Sequence, residues 1–232
     1  MVAFTSQTYS REIDIKTLSR ELEKSFNSRN TSGWETLMST DIAITLKQEY
    51  QDFLKRFPNA EWTIKPGKKL KDNRESLNLS IRSEKKLNNQ TYLLEAKQKL
   101  AFTKEGNRII RKEILSEYSI LRALKSPLQI SLNIPDIVLT GTNYDIDIIL
   151  EKPLKDGIIA GGLIAIEPGR ITNEEFPQMP LMPTESGGLF KSAQSPLNPG
   201  IQQWAALIAH PDGLIAITKR VKIVSNPDEL IP

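Results

Sequence analysis

The patterning of the chain changes at Ser126–Pro127, and that change restricts the folds open to it. Upstream, amphipathic helical stretches lead into four long, heavily charged strand patterns. Downstream, short apolar strand patterns alternate with Pro- and Gly-rich loops. Charge divides at the same place: residues 1–125 hold 24 Lys and Arg against 16 Asp and Glu, whereas residues 126–232 hold 7 against 12. In a chain of 232 residues this asymmetry predicts two domains, 1–125 and 126–232, each long enough to bury its own core.

Composition excludes several classes of chemistry. There is no Cys, which removes disulfides, thiolate catalysis and Cys-based zinc sites together. No Gly-rich phosphate loop and no ligand-spaced carboxylate set occurs, so neither cofactor nor metal is expected. No apolar run approaches the roughly 20 residues that span a bilayer, so no transmembrane segment is expected. A net charge of +3 is too small and too mixed for a dedicated polyanion binder.

The first half reads as a helix over residues 11–29, with Ile15, Leu18, Leu22 and Phe26 on one face, then a short helix on Trp34, Leu37 and Met38. Asp41–Leu46 alternates as a strand, and Lys47–Phe57 returns to helix before Pro58. Four strand patterns follow, Glu61–Leu70, Glu75–Lys86, Thr91–Lys104 and Arg108–Leu121, divided by turn residues as an antiparallel meander would be. Alternation along them collects Trp62, Leu77, Leu79, Tyr92, Phe102, Tyr118 and Ile120 on one face. Glu95, Glu113 and Glu117 fall on the other.

This order of elements, carried by Trp34, Leu37 and Asp41–Ile44 and by the long terminal strands, resembles the nuclear transport factor 2-like (cystatin-like cone) superfamily over residues 11–121. The resemblance implies an α+β domain in which helices and a curved antiparallel sheet enclose an apolar pocket. Members include ketosteroid isomerase and polyketide cyclases as well as binding and dimerisation modules. In the pocket so implied, Trp62, Tyr92, Gln98, Phe102, Ser116 and Tyr118 are the candidate ligand-lining residues. They can orient a ligand but include no general base, because the alternation turns the glutamates outward. No catalytic residue is assigned. A β-bulge, which shifts the register by one residue, would reverse these facings.

A basic cluster of Lys65, Lys68, Lys69, Lys71, Arg74, Lys85 and Lys86 sits around the hairpin tips. Its plainer reading is a solvated hairpin with charged tips, and its functional one is peripheral contact with an anionic surface; nucleic acid is disfavoured, since no aromatic residues are interleaved for base stacking.

In the second half, strand patterns at Leu128–Ile134, Tyr144–Glu151, Ile158–Ile166, Gln202–His210 and Leu214–Val224, with a short one at Gly188–Lys191, point to an all-β sandwich. The segment resembles a small immunoglobulin-like domain, without that fold's Cys pair. The loop 167–200 is rich in Pro, and Pro177, Met179, Pro180, Leu181, Met182 and Pro183 form a candidate partner-binding segment, stiff and apolar. The pair of domains resembles uncharacterised bacterial, and within bacteria cyanobacterial, proteins in which a leader precedes both. Met1–Thr8 has no basic and apolar signal-peptide pattern, which fits either a cytoplasmic protein or a chain whose leader was removed. The immunoglobulin-like resemblance tilts the expectation slightly toward an extracytoplasmic location, in periplasm or lumen, over a cytoplasmic one.

The resulting expectation is a non-enzymatic binding or scaffold protein. It would use the cone for an apolar ligand or dimer contact and the C-terminal domain for a protein partner. The alternative is a lyase or isomerase acting on a small hydrophobic substrate in the cone pocket.

Overall fold

A computed structural model describes residues 13–87, 89–124, 128–151, 159–166, 179–184, 187–211 and 213–230. Helix α1 (Ile15–Asn27) begins where the Asp14 carboxylate accepts the Lys16 and Thr17 N–H groups at 2.8 and 2.9 Å. Its buried residues Leu18, Leu22 and Phe26 recur at helical spacing. A single turn, α2 (Trp34–Leu37), precedes α3 (Thr40–Arg56). The strand expected at Asp41–Leu46 is therefore the first part of α3. Ile42, Ala43 and Leu46 turn toward the core at helical spacing, while Ile44 is 61% exposed, so the apparent period of two was coincidental.

The strands are β1 (Glu61–Pro66), β2 (Glu75–Leu87), β3 (Gln90–Glu105), β4 (Arg108–Ala123), β5 (Ile130–Asn133), β6 (Ile137–Leu139), β7 (Asn143–Leu150), β8 (Ala160–Ile166), β9 (Met182–Pro183), β10 (Gly188–Gln194), β11 (Gly200–His210) and β12 (Gly213–Val224). Among the described residues, one nine-stranded sheet runs β1-β2-β3-β4-β12-β11-β8-β9, with β6 joining β12 in parallel. A second sheet runs β10-β7-β5.

This corrects the expected fold class. The protein is mostly β. It is not an α+β cone followed by a separate immunoglobulin-like sandwich, because strands from both halves form one continuous sheet. At the seam β4 pairs β12 antiparallel from Glu117↔Arg220 to Arg122↔Ile215, and the Ser119 and Thr218 hydroxyls share a hydrogen bond at 2.7 Å. The physical reason is the free edge of β4, whose N–H and C=O groups need a partner. That partner lies about a hundred residues downstream, where local periodicity carries no trace of it.

The two faces of the long sheet are covered at opposite ends. In the N-terminal half the helices lie on one face, over Trp62, Ile64, Leu77, Leu79 and Phe102. Rings of Phe26, Trp34, Tyr50, Phe53 and Trp62 pack there with neighbouring centroids 4.8 to 5.7 Å apart. In the C-terminal half the opposite face is covered. Ile208, Ile215 and Ile217 pack with Ile148 and Leu150 of the three-stranded sheet, and Trp204 and Val221 pack with Tyr144 and Ile146. Trp204 anchors this layer by donating its Nε1–H to the Tyr144 hydroxyl at 2.8 Å, which in turn donates to Gln202 Oε1 at 2.6 Å.

Candidate functional site

Two bulges in β4 decide which side chains share a face. Lys99 pairs with Ser116 but Leu100 with Ile114, leaving Leu115 as an extra residue that is buried with Leu70 and Ala101. A second shift, at Thr103/Lys104, makes Ile110 the extra residue, so Ile109 is buried while Ile110 is 40% exposed. Beyond the first bulge, every facing in β4 is the reverse of what simple alternation predicts. Glu117 pairs with Gln98 on the helix-covered face, and Tyr118 pairs with Lys97 on the other.

The six residues expected to line one pocket are thus divided. Trp62 and Phe102 are buried in the packed core beneath the helices. Gln98 is half-buried on that face and donates its Nε2–H to Glu117 Oε1 at 3.2 Å. Tyr92, near the start of β3, hydrogen-bonds through its hydroxyl to Gln90 Oε1 at 3.0 Å. Ser116 and Tyr118 belong to the opposite face.

That opposite face, which no helix covers among the described residues, holds an open groove of about 410 Å³. It is lined by Glu61, Thr63, Ser80, Arg82, Glu95, Lys97, Tyr118 and Ile120, together with Ile81 and Ala96. Register explains the set: Glu61↔Arg82, Arg82↔Glu95 and Glu95↔Ile120 form one cross-strand row, and Thr63↔Ser80, Ser80↔Lys97 and Lys97↔Tyr118 the next. Opposite charges alternate along the first row, and Glu95 also accepts from Arg122 at 2.9 Å. Ile120 marks the end of the groove, where it packs against the core beneath the three-stranded sheet.

Glu117, on β4, is shifted by its surroundings. Burial raises its pKa above the usual glutamate value; Glu49 on α3 adds to this, and Arg220, Gln98 and Lys112 oppose it. Arg220, its partner across the seam, is lowered by burial and donates to the Ile114 carbonyl at 2.6 Å. Glu113 behaves in the opposite sense. Burial pushes it up, but the Lys222 ammonium at 2.7 Å and the Arg74 guanidinium hold it below the ordinary carboxylate value.

The basic cluster is partly absorbed by the fold. Arg74 pairs with Asp72 and Glu113, and Lys85 lies 5.5 Å from the centre of the Phe57 ring. Lys65, Lys68, Lys69 and Lys71 remain exposed. Among the described residues, no three His, Asp or Glu side chains gather as a metal-binding group, and no helix is long and apolar enough to cross a membrane.

The partner segment is anchored at one end of the long sheet; Pro177 lies outside the described residues. Met179 is half-buried over Gly162, where an added Cβ would come within 2.6 Å of the Pro180 carbonyl oxygen and 2.7 Å of Met179 Cγ. Met182 and Pro183 pair with Gly161 and Ala160 as β9, and the Thr184 N–H bonds the Ile159 carbonyl at 2.9 Å. Pro180 and Pro183 are exposed, Leu181 is 38% exposed and Met182 65% exposed. The sequence reading missed three features: the Glu117–Arg220 pairing across the seam, the hydrogen bonding of the β1 edge, and the exposed Phe190 on β10. The bulge that moves Glu117 leaves no local signature. By contrast, Phe190, an aromatic between Gly188 and polar residues, was visible as an outlier.

Residues 125–224 match the model of a family described as a domain of unknown function (DUF8623), so this stretch, less than half of the chain, is similar to that family. No curated protein matches the chain.

Proposed function

We propose that the protein is a non-enzymatic binding scaffold that engages a protein partner through the exposed Leu181–Met182 surface of its C-terminal half. The observation that carries this reading is the disposition of apolar side chains. In the N-terminal half, packed rings occupy the space beneath the helices where a small ligand would sit. In the C-terminal half, pairing of β9 with β8 holds Leu181 and Met182 at the surface.

The lyase or isomerase alternative needs a perturbed acid or base within a cavity. Glu117 has the raised pKa, but it shares a face with Gln98 and the helices, whereas the groove opens on the other side of the sheet. This separation favours binding over catalysis.

Native mass spectrometry of the protein purified from its host tests the reading. The expected spectrum shows no small-molecule adduct and a partner complex that the Leu181→Asp/Met182→Asp variant loses. An adduct released on denaturation, or a complex unaffected by the double variant, overturns it.

A further inference from the structure

We infer that the outer edge of β10 receives an extended strand of a partner protein, one with a basic residue opposite Ser192 and an apolar residue opposite Phe190. The inference rests on the binding reading above and specifies the chemistry of the partner.

Backbone parity comes first. Leu150 N–H bonds the Gly187 carbonyl at 2.9 Å, and Ser195 N–H bonds the Thr142 carbonyl at 2.9 Å, so odd-numbered residues of this segment face β7 with their hydrogen-bonding groups. Gly188, Phe190, Ser192 and Gln194 therefore direct their N–H and C=O groups away from β7. Among the described residues β10 pairs with β7 alone, which leaves those groups facing an open edge.

The other sheet ends are poorer acceptors. The edge of β1 is taken by side chains of α1: Asn27 bonds both the N–H and the C=O of Trp62, and Glu23 accepts the Ile64 N–H. Strand β9 has two residues, one of them Pro183, and β5 has four. β10 has seven residues and no proline.

Side chains then select the occupant. Phe190 pairs with Asp147 and Ser192 with Asp145 on the outer face of the three-stranded sheet, and Phe190 is 61% exposed. Asp147 accepts from Asn133 at 3.0 Å; Asp145 is exposed, with no ion pair among the described residues. Lys191 is exposed but leaves the sheet from its other face, with its ammonium 5.9 Å from the centre of the Trp204 ring and so directed away from Asp145. Strands lie about 4.8 Å apart, which places Asp145 about 10 Å from the backbone of an added strand. A Lys or Arg lying across the small Ser192 side chain spans that distance, while an apolar neighbour two residues away covers the Phe190 ring.

A phage-displayed library of random octapeptides, selected on the immobilised full chain, tests this. Selected peptides are expected to carry basic and apolar residues two positions apart and to shift the backbone amide NMR signals of Phe190 and Ser192. Ser192→Pro removes an outward N–H without breaking a β7 bond, and should weaken binding by about tenfold or more with the thermal midpoint retained. Asp145→Lys should move the selection toward acidic residues, and it carries the test if Ser192→Pro unfolds. Peptides that bind Ser192→Pro as well as the parent, a Ser192→Pro-sensitive homodimer that excludes them, or a library without binders would overturn the proposal. A host complex lost by Leu181→Asp/Met182→Asp but kept by Ser192→Pro and Asp145→Lys would leave the binding reading standing and remove the added strand.

Discussion

The side-chain amide of Asn27 pairs with the backbone of Trp62 as a neighbouring strand would. Its Nδ2–H donates to the Trp62 carbonyl at 2.8 Å, and its Oδ1 accepts the Trp62 N–H at 2.9 Å. One helical turn earlier, Glu23 accepts the Ile64 N–H at 2.7 Å, so side chains one helical turn apart match strand residues two apart. Asn27→Ala leaves both Trp62 groups unpaired beside the core. The expected loss is about 1–3 kcal/mol, read as a lower urea midpoint at unchanged slope, with concentration-dependent association as the edge opens.

Glu117 and Glu113 predict opposite pH dependences. For Glu117 the folded pKa lies above the unfolded one, so the native state binds more protons. Its contribution is full below the ordinary glutamate pKa and is lost as pH rises through the raised folded value. For Glu113 the folded pKa is lowered, so its contribution is present above the unfolded value and lost as pH falls through the folded one. Denaturant titrations from pH 3 to pH 8 read both effects. Glu117→Gln should reduce the loss of stability on the alkaline side of about pH 4.5, the reference carboxylate range. Glu113→Gln should cost about 1–2 kcal/mol at neutral pH and blunt the loss on acidification. Identical profiles for the two variants would contradict the assignment.

Dividing the chain between β4 and β5 should yield two fragments that do not behave as soluble monomers. Residues 1–124 would expose the β4 edge together with Ile120, and residues 128–232 the facing edge of β12. Co-expression is expected to recover a one-to-one complex on size exclusion. A monomeric, cooperatively unfolding 1–124 fragment would show that the seam is dispensable.

Gly162→Val should displace the segment above it, because even a Cβ there meets the Pro180 carbonyl and Met179. Overpacking of this kind costs about 1–3 kcal/mol, and limited proteolysis should accelerate at 179–183 before the rest of the fold is cut. Protection equal to that of the parent protein would mean that the segment is held by other contacts.

Sequence patterning located the long strands closely: the stretches read as Glu75–Lys86 and Arg108–Leu121 are β2 and β4, each extended by one or two residues. It located Trp62 and Phe102 as inward residues because both extra residues lie in β4, which leaves the alternation of β1 and β3 intact. It failed where the cause was not local. The extra residue Leu115 moves Tyr118 to the groove and Glu117 beneath the helices, and a bulge of ordinary side chains has no signature in a period-two pattern. The β4–β12 seam escaped because the charge boundary between the halves says nothing about which edges will pair. Ile42, Ile44 and Leu46 misled because three alternating apolar residues fit the start of a helix as well as a strand.

The seam also sets a schedule for synthesis. The Ser119 and Thr218 hydroxyls that meet there are separated by 99 residues of chain. At roughly 5–20 residues per second, β4 leaves the ribosome about 5–20 s before β12. During that interval the helices can already close over their own face of the meander, while the β4 edge stays open to any strand nearby. Slowing of translation between the halves, or a chaperone that shields β4, would therefore bear on the yield of this protein more than on its final stability.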